Sequence, residues 1–210
     1  MKIHALVLGF GVASSAYTSL LDFNKVETSV LGSPFDKKKI NSCKKTRKEK
    51  GFNLKYSKKI QFFNSEELKK VDLGNVNFII VGTNTKGIDW AINILNKIKI
   101  DCPVLLITKG IANLKNNLVP ISDYFFTKCF NHKIIMSAGP CLAKELINKS
   151  HTRTLFASRN ISYASYAKII LENKYIQIIN LIESTNVNLC VYHRCVNGYL
   201  KNMKQLVNQD

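Results

Sequence analysis

A strand, a glycine turn and a helix at the start of the chain constrain its fold more than any other segment. The letters LVLGFGVASSAYTSLL cover residues 6–21. Residues 5–8 form the compact apolar run of a buried parallel strand, and residues 12–21 predict a helix whose first backbone N–H groups lack partners within the helix. Those free donors and the positive end of the helix dipole suit a pyrophosphate. The segment therefore predicts a dinucleotide-binding unit.

The glycines of this turn match most of a known fingerprint. In G-x-G-x-x-G the first glycine makes the turn, the second lets the phosphates approach the backbone, and the third allows close packing of helix on strand. Gly9 and Gly11 supply the first two positions, and Ser14 stands at the third. Serine is small, so we expect the packing to be kept with some loosening. Because glycine pairs also occur in ordinary turns, the interpretation needs support from other segments.

Apolar runs alternate with amphipathic segments along most of the chain. Such runs predict strands at 26–31, 58–63, 78–82, 103–108, 133–137, 154–157 and 175–179, and helices at 88–98, 142–147 and 163–171. The basic stretch before residue 58 predicts a helix and a loop on the rim. This alternation predicts an α/β protein with a Rossmann-like, doubly wound and mostly parallel sheet. A last helix is predicted at 187–210.

The net charge of +17 raises the question of a polyanionic partner, and residues 36–59 concentrate much of it. Such an excess can attract nucleic acid or an anionic membrane face. However, lysine is frequent along the whole chain, and no stacking aromatic module or recognition helix accompanies the basic run. We interpret the run as solvated and disfavour nucleic acid as a partner.

The apolar segments and the cysteines bear on the cell compartment. No stretch approaches the roughly 20 apolar residues that span a bilayer, and the first apolar run is too short for a signal peptide. The cysteines include no C-x-x-C pair and no histidine at zinc-finger spacing, so they predict reduced thiols and no metal site. We expect a cytoplasmic protein. The six cysteines are Cys43, Cys102, Cys129, Cys141, Cys190 and Cys195.

Polar or glycine residues follow three of the predicted strands, where ligands bind in open α/β sheets: TNTKGIDW follows FIIVG (78–82), KGI follows PVLLIT (103–108), and AGPCLAKEL follows KIIMS (133–137). Lys109 directly follows PVLLIT, so its ammonium could reach a phosphate or a reacting oxygen, the alternative being a surface lysine. Gly139 and Pro140 follow KIIMS and would offer backbone donors, or form only a strand-to-helix turn. Cys141 stands at a helix start, where a thiolate is favoured. No histidine lies near it in the sequence, so a small residue opening a helix is the preferred interpretation.

Together these segments resemble one family, the bacterial NAD(P)-dependent glycerol-3-phosphate dehydrogenases. The resemblance rests on LGFGVASSAY (8–17), VGTNTKGIDWAINIL (81–95), LLITKG (105–110) and SAGPCLAKEL (137–146), and it extends to GYLKNM (198–203). It implies hydride transfer between NADP or NAD and the pair dihydroxyacetone phosphate and sn-glycerol 3-phosphate. That reaction supplies a precursor of glycerophospholipids.

The resemblance also implies roles for single residues. Lys201, in Leu-Lys-Asn, matches the family's general base for the C2 hydroxyl, and a partly buried lysine with a lowered pKa can take that proton. Lys109, Gly139 and Cys141 match contacts to the glycerol phosphate. The implied cofactor contacts are Gly9, Gly11, Val12, Ala13, Ser14, Ser33, Lys109 and Ala143.

The chain departs from the family after its second strand and at its end. At the strand tip, where an acidic residue would hold the ribose 2′-OH of NAD, stand residues 31–33 with Lys37, Lys38 and Lys39 behind them. This favours the 2′-phosphate of NADP. The family continues past its catalytic lysine, so we expect a dinucleotide-binding domain at 1–184 and, at 185–210, a short helical stub of the truncated substrate domain.

Two functions remain open on the sequence. One is a glycerol-3-phosphate dehydrogenase whose activity depends on the missing part of the second domain. The other is a non-catalytic nucleotide-binding remnant or pseudoenzyme. Apolar surface that the second domain covers in the family would be exposed, which predicts self-association, for example as a homo-oligomer.

Overall fold

The computed structural model describes residues 2–130, 133–139 and 141–182. The strands are His4–Leu8 (β1), Glu27–Leu31 (β2), Lys48–Glu49 (β3), Leu54–Lys55 (β4), Ile60–Phe63 (β5), Phe78–Val81 (β6), Val104–Leu106 (β7), Ile111–Leu114 (β8), Asn117–Pro120 (β9), Ile134–Ala138 (β10), Thr152–Ser158 (β11) and Ile176–Ile182 (β12). The helices are Val12–Phe23 (α1), Lys37–Thr46 (α2), Ile88–Ile98 (α3), Ile121–Lys128 (α4), Ala143–Ile147 (α5) and Ile161–Leu171 (α6). Short 3-10 turns lie at Pro34–Asp36, Ser65–Lys70 and Thr85–Gly87.

Eight of the strands form one sheet, in the order β12-β11-β10-β7-β6-β1-β2-β5. The strand β1 pairs in parallel with both β2 and β6. The sheet continues through β2 to β5 on one side of β1, and through β6, β7, β10 and β11 to β12 on the other. The pair β10 and β11 is antiparallel, whereas β7 pairs in parallel with β6 and with β10. The doubly wound, mostly parallel sheet is therefore confirmed, with its topological switch point between β1 and β6.

Helices cover both faces of the sheet, which explains why its central strands are apolar throughout. In β1, Ala5 and Val7 pack in a core with Leu20 of α1. Leu6 and Leu8 point to the opposite core, which includes Ile92 of α3. A strand buried on both faces has no polar side to alternate with, so its sequence is a continuous hydrophobic run.

Three features do not follow from the sequence pattern: the short hairpin β3–β4, the hairpin β8–β9 and the helix α4. The hairpin β8–β9 is only partly buried: Leu118 within it is 77% exposed, whereas Ala112, Leu114 and Val119 pack against the core. The helix α4, which follows it, was also not predicted. The predicted helix at 187–210 lies outside the described residues. Among the helices that the structure describes, none combines the length and the apolar character that crossing a membrane requires.

Candidate functional site

The carboxyl ends of β1, β2, β6, β7 and β10 lie along one edge of the sheet, because these strands are parallel. The helix α1 begins four residues after β1 ends, and α3 begins one residue after the turn Thr85–Gly87 that follows β6. Asn84 caps that turn by accepting the backbone N–H of Gly87 at 3.0 Å. Two helix starts therefore flank the switch point, which is where open α/β sheets bind ligands.

The two glycines of the first loop, which connects β1 to α1, have different structural roles. Gly9 has a φ of +88°, and a Cβ placed there would lie 2.8 Å from Cγ2 of Thr83. Its backbone N–H donates to the carbonyl of Leu31 at 2.9 Å, which fixes the loop to β2. A Cβ on Gly11, in contrast, would meet only the carbonyl oxygen of Gly82, at 4.0 Å. Gly9 is thus required by the turn, while Gly11 leaves open the space that a phosphate needs.

Ser14 occupies the third glycine position without the loosening expected from the sequence. Its side chain is fully buried, and its hydroxyl donates to the carbonyl of Gly82 at 2.7 Å. A Cβ on Gly82 would lie 2.1 Å from this hydroxyl oxygen. The residue without a side chain is therefore Gly82 and not residue 14, so helix α1 can still pack closely against the end of strand β6. With its hydroxyl turned inward, Ser14 offers a ligand only its backbone N–H.

The start of α1 presents free hydrogen-bond donors. The first bond within the helix runs from the N–H of Ser15 to the carbonyl of Gly11, at 2.9 Å, so the preceding N–H groups have no acceptor in the helix. Val12 and Ala13 are exposed, and no acidic residue lies in the first turn. Next to Gly9, the hydroxyl oxygen of Thr83 is buried and has no hydrogen-bond partner among the described residues. These groups suit an anionic ligand with hydroxyl or phosphate oxygens.

Asp36 fastens the loops after β1 and β2 to each other. One carboxylate oxygen, Oδ2, accepts the backbone N–H of Phe10 at 2.9 Å, and it accepts both the N–H and the hydroxyl of Ser33 at 2.8 and 2.6 Å. The turn Pro34–Asp36 brings this carboxylate back to the tip of β2. The sequence reasoning missed Asp36 because it sought an acidic residue only at the strand tip, residues 31–33, and beyond it considered only the lysines at 37–39. The spacing of a serine and an acidic residue three positions later is the signal that could have found it.

The three lysines behind β2 have different surroundings, and the preference for NADP that the sequence suggests from them stays a prediction. Lys37 forms an ion pair with Glu66 at 3.0 Å. Lys39 turns inward, where its ammonium donates to the hydroxyl of Ser15 at 2.9 Å and pairs with Glu49 at 3.3 Å. Lys38 remains exposed, and it forms no ion pair within the described ranges.

The structure brings together the three residues predicted at the ends of β7 and β10. The ammonium of Lys109 donates to the carbonyl of Gly139 at 3.2 Å. Gly139 has a φ of +98°, a conformation that favours glycine. Cys141 is half-buried; burial raises the pKa of its thiol, while the charge of Lys109 lowers it. A raised pKa keeps the thiol protonated, which agrees with a small contact residue and not with a nucleophile.

A hydrogen bond between α1 and β10 joins the two ends of this site. Tyr17 of α1 is buried, and its hydroxyl forms a hydrogen bond with the hydroxyl of Ser137 in β10 at 3.0 Å. Thr154 of β11 donates to the carbonyl of Ala138 at 2.9 Å. Burial raises the pKa of Tyr17 far above its ordinary value, so its phenol stays protonated. The role of Tyr17 is therefore to hold α1 against β10.

A family model described as the N-terminus of NAD-dependent glycerol-3-phosphate dehydrogenase matches residues 5–164. The chain belongs to this family. It is also 26% identical over 171 residues to the NADP(+)-dependent glycerol-3-phosphate dehydrogenase of Archaeoglobus fulgidus, a match that covers 80% of this chain and 50% of the relative. The chain thus spans about half the length of the curated relative that it matches. The family resemblance inferred from the sequence motifs is confirmed.

Solved structures of glycerol-3-phosphate dehydrogenases share the fold. The enzyme from Coxiella burnetii superposes with a TM-score of 0.76 at 18% identity, over 90% of this chain and 57% of the other. The enzyme from Plasmodium falciparum has the same TM-score at 15% identity, over 90% of this chain and 55% of the other. These similarities confirm the Rossmann-like fold.

Three further residues were predicted from the resemblance to glycerol-3-phosphate dehydrogenases. Ala143 is the first residue of α5 and is half-buried against the core, next to the turn that holds Gly139. Ser33 is buried and donates both its polar hydrogens to Asp36. Lys201, the predicted general base, lies outside the described residues. The functional roles of these residues stay predictions.

Proposed function

We propose that the chain is the dinucleotide-binding part of a glycerol-3-phosphate dehydrogenase. In this proposal it uses NAD or NADP to interconvert dihydroxyacetone phosphate and sn-glycerol 3-phosphate. The observation that supports dinucleotide binding is the open space at Gly11, next to the start of α1 with its free N–H groups. The substrate pair comes from the names of the family and the relative.

The residues at the start of α1 fit the cofactor's pyrophosphate. The backbone N–H groups of Val12, Ala13 and Ser14 would donate to it. Two hydrogen bonds hold the loop between β1 and α1 in place: one from Gly9 to the carbonyl of Leu31, and one from Phe10 to Asp36. The bound dinucleotide supplies the hydride donor or acceptor. Because Gly11 carries no Cβ, the phosphates can lie against the backbone itself.

At the other end of the site, Lys109 would bind the negative charge of the substrate. Its ammonium is exposed and held near Gly139 by one hydrogen bond, so it can turn to a phosphate or to the C2 oxygen. Lys201 would donate a proton to the C2 oxygen during reduction of the ketone and remove it during oxidation of the alcohol. Cys141 would contribute a neutral contact.

The proposal extends to organisation and location. Residues 1–184 would form the dinucleotide-binding domain, and residues 185–210 would begin the helical substrate domain. A cytoplasmic location and self-association into a homo-oligomer follow from the sequence interpretation and belong to this proposal.

Turnover by the purified chain tests the proposal. We expect loss of NADH or NADPH absorbance only when dihydroxyacetone phosphate is present, and loss of that activity in Lys109→Met and in Lys201→Ala. Lys97→Met, at an exposed lysine in the last turn of α3, is the matched control and should keep the activity. Saturable dinucleotide binding without turnover would select the non-catalytic alternative. A folded chain that binds neither dinucleotide would contradict both.

A further inference from the structure

We propose that the outer edge of β12 and the cleft beside it bind an extended, acidic segment of a partner protein, which adds to the sheet as a further strand. The strand β12 forms one edge of the sheet, and β11, β10 and β7 separate it from the switch point beside β6. The inference goes beyond the proposed function and does not depend on it, because no dinucleotide or substrate contact is assigned to β12.

The pairing of β12 with β11 determines which of its backbone groups face outward. The carbonyl of Tyr175, just before β12, accepts the N–H of Thr152 at 2.9 Å. In a parallel pair the backbone groups of alternate residues face the same neighbouring strand, so residues 177, 179 and 181 also face β11. The even-numbered residues of β12 therefore turn their N–H and C=O groups away from the sheet.

The first half of this outer edge is covered, whereas the second half is open. The N–H of Ile176 donates to the side-chain oxygen of Asn173 at 3.3 Å. The N–H of Ile178 donates to a carboxylate oxygen of Glu172 at 2.8 Å. The carbonyl of Ile178 and both backbone groups of Asn180 have no hydrogen-bond partner among the residues that the structure describes. These groups can pair with an incoming strand.

The sequence of β12 lacks the features that usually prevent an edge strand from pairing with another chain. Its letters IQIINLI include no charged residue, no proline and no glycine. Ile179, Leu181 and Ile182 are exposed on it. A lysine, a proline or a bulge commonly blocks pairing at such an edge. The opposite edge strand, β5, has only four residues and directly follows Lys58 and Lys59.

A cleft of about 1150 Å³ lies beside this edge and gives the side chains of an added strand a place to pack. Ser165 and Ile169 of α6 and Ile176 and Asn180 of β12 belong to its walls. The side-chain amide of Asn180 donates to the hydroxyl of Ser165 at 3.2 Å, which joins the two walls. Strand addition of this kind combines backbone hydrogen bonds with pockets for alternate side chains.

The charges of the cleft favour an acidic occupant. Its lining includes His151, Arg153, Lys168 and Lys174, whereas Glu172 is the one acidic residue among the described lining residues. Glu172 is already paired with Lys168 at 3.5 Å. Arg153 and Lys174 are exposed and form no ion pair within the described part of the chain. Two cations are therefore available to carboxylates at one end of an added strand.

The same argument disfavours two other occupants. A second copy of this chain would carry a net charge of +17 to a cleft that is itself basic. Residues 183–210, which follow β12, contain three Lys or Arg residues and two Asp or Glu residues, so they bring no excess of negative charge. An acidic segment of another protein matches both the open backbone groups and the free cations.

Fluorescence anisotropy with the full chain and three labelled peptides tests the proposal. The probe is a peptide of alternating valine and threonine that ends in a run of aspartates. One comparison peptide ends in lysines instead, and the other keeps the aspartates but has proline in place of each threonine, so that it cannot pair as a strand. We expect saturable binding of the probe, and binding at least about tenfold weaker of both comparison peptides.

A pair of double variants tests the role of the cations. Arg153→Gln with Lys174→Gln removes the two free charges of the cleft and should weaken binding of the probe by about tenfold. Lys58→Gln with Lys97→Gln is the matched control, since it removes the same charge from exposed lysines outside the cleft lining. The control should bind the probe as tightly as wild type does.

Amide hydrogen exchange followed by NMR tests whether the probe pairs with the edge of the sheet. The outward N–H of Asn180 should exchange at least about tenfold more slowly when the probe is bound. The N–H of Leu181 faces β11 and should keep its rate. An unchanged rate at Asn180 with bound probe would overturn strand addition.

The remaining outcomes also decide the proposal. Equal affinity for the aspartate and lysine peptides, or an equal loss of binding in the two double variants, overturns an acidic partner at this cleft. Slow exchange at Asn180 in a chain that binds no probe also overturns it. Sedimentation then shows whether a second copy covers the edge, as a dimer, or residues 183–210 do, as a monomer. None of these results bears on dinucleotide binding, which tests the proposed function separately.

Discussion

The two ends of the candidate site are built in different ways. At the cofactor end, which comprises residues 9–15 with Ser33, Asp36 and Gly82, several partly or fully buried groups are joined by hydrogen bonds of 2.6 to 2.9 Å. At the substrate end, which comprises Lys109, Gly139 and Cys141, one bond of 3.2 Å from an exposed lysine joins the two strand ends. The cofactor end is therefore formed by the packing of this domain. The substrate end offers one adjustable cation, and we expect other parts of a complete site to fix the substrate.

The largest expected effect tests the packing at the cofactor end. In Gly82→Ala the new methyl group would overlap the hydroxyl of Ser14, 2.1 Å away, and should lower the free energy of unfolding by about 3 kcal/mol. The double variant Gly82→Ala with Ser14→Ala removes that hydroxyl, so it should recover part of the loss, while the contact of the new methyl group with Cδ1 of Ile107 at 2.8 Å remains. Urea denaturation of the two single variants and the double variant measures this coupling. Additive losses would show that the two residues do not share one packing space.

A pH titration tests the ion pairs of Glu67, one of which joins the turn Ser65–Lys70 to α2 through Lys44. Glu67 accepts hydrogen bonds from Lys44, from Lys70 at 3.0 Å and from the N–H of Asn64 at 2.8 Å, and these hold its pKa at about 2. Because this pKa is lower than the value of about 4.3 in the unfolded chain, the stabilisation is complete above pH 4.3 and is lost as the pH falls towards 2.

The variant Glu67→Gln checks this assignment. After allowance for solvent screening, we expect it to lower the free energy of unfolding at neutral pH by about 1.5 kcal/mol. The difference from wild type should shrink below pH 4, where the wild-type carboxyl becomes protonated. A constant difference across this range would assign the effect to packing and not to charge.

A third variant tests the bond that joins the two ends. Tyr17→Phe removes the hydroxyl that meets Ser137 and leaves the ring in place, so it should cost about 1 kcal/mol of unfolding free energy. Hydrogen exchange of α1 and β10 should rise together in this variant if the bond links them. Faster exchange in α1 alone would indicate that the tyrosine supports only its own helix.

The smallest effect is expected at the substrate end. Lys109→Met removes an exposed ammonium, so the free energy of unfolding should change by less than about 0.5 kcal/mol. Thermal denaturation beside wild type measures it. A loss comparable to that of Gly82→Ala would contradict the contrast between the two ends, since Lys109 would then be part of the framework.

The sequence predicts the sheet and the glycine loop because both depend on local patterns. Continuous apolar runs mark strands that are buried on both faces, and Gly9 is required by the backbone of its own turn. Lys109 and Gly139 could be placed together because parallel strands end at one edge. The hairpin β8–β9 is only partly buried, and its letters IANL and NLVP do not alternate regularly between polar and apolar residues, so no strand pattern marks it.

Other features depend on contacts between residues that are far apart in sequence. The hydrogen bond from Ser14 to Gly82 joins residues that are 68 positions apart, and the bond from Phe10 to Asp36 joins residues that are 26 positions apart. The same holds for the lysines behind β2, since their partners Glu49 and Glu66 could not be assigned from spacing. Sequence reasoning therefore found where the cofactor end lies but not how its charges are balanced.

Titration calorimetry with NADH on wild type and Gly11→Ala tests most directly whether the cofactor end is formed by this chain alone. An added Cβ at Gly11 would meet only the carbonyl oxygen of Gly82, at 4.0 Å, so the variant should fold as stably as wild type. We expect saturable one-to-one binding by wild type and binding at least about tenfold weaker by Gly11→Ala, because the methyl group would fill the space of the pyrophosphate. Equal binding by the two chains, or no saturation of a folded wild type, would contradict the account.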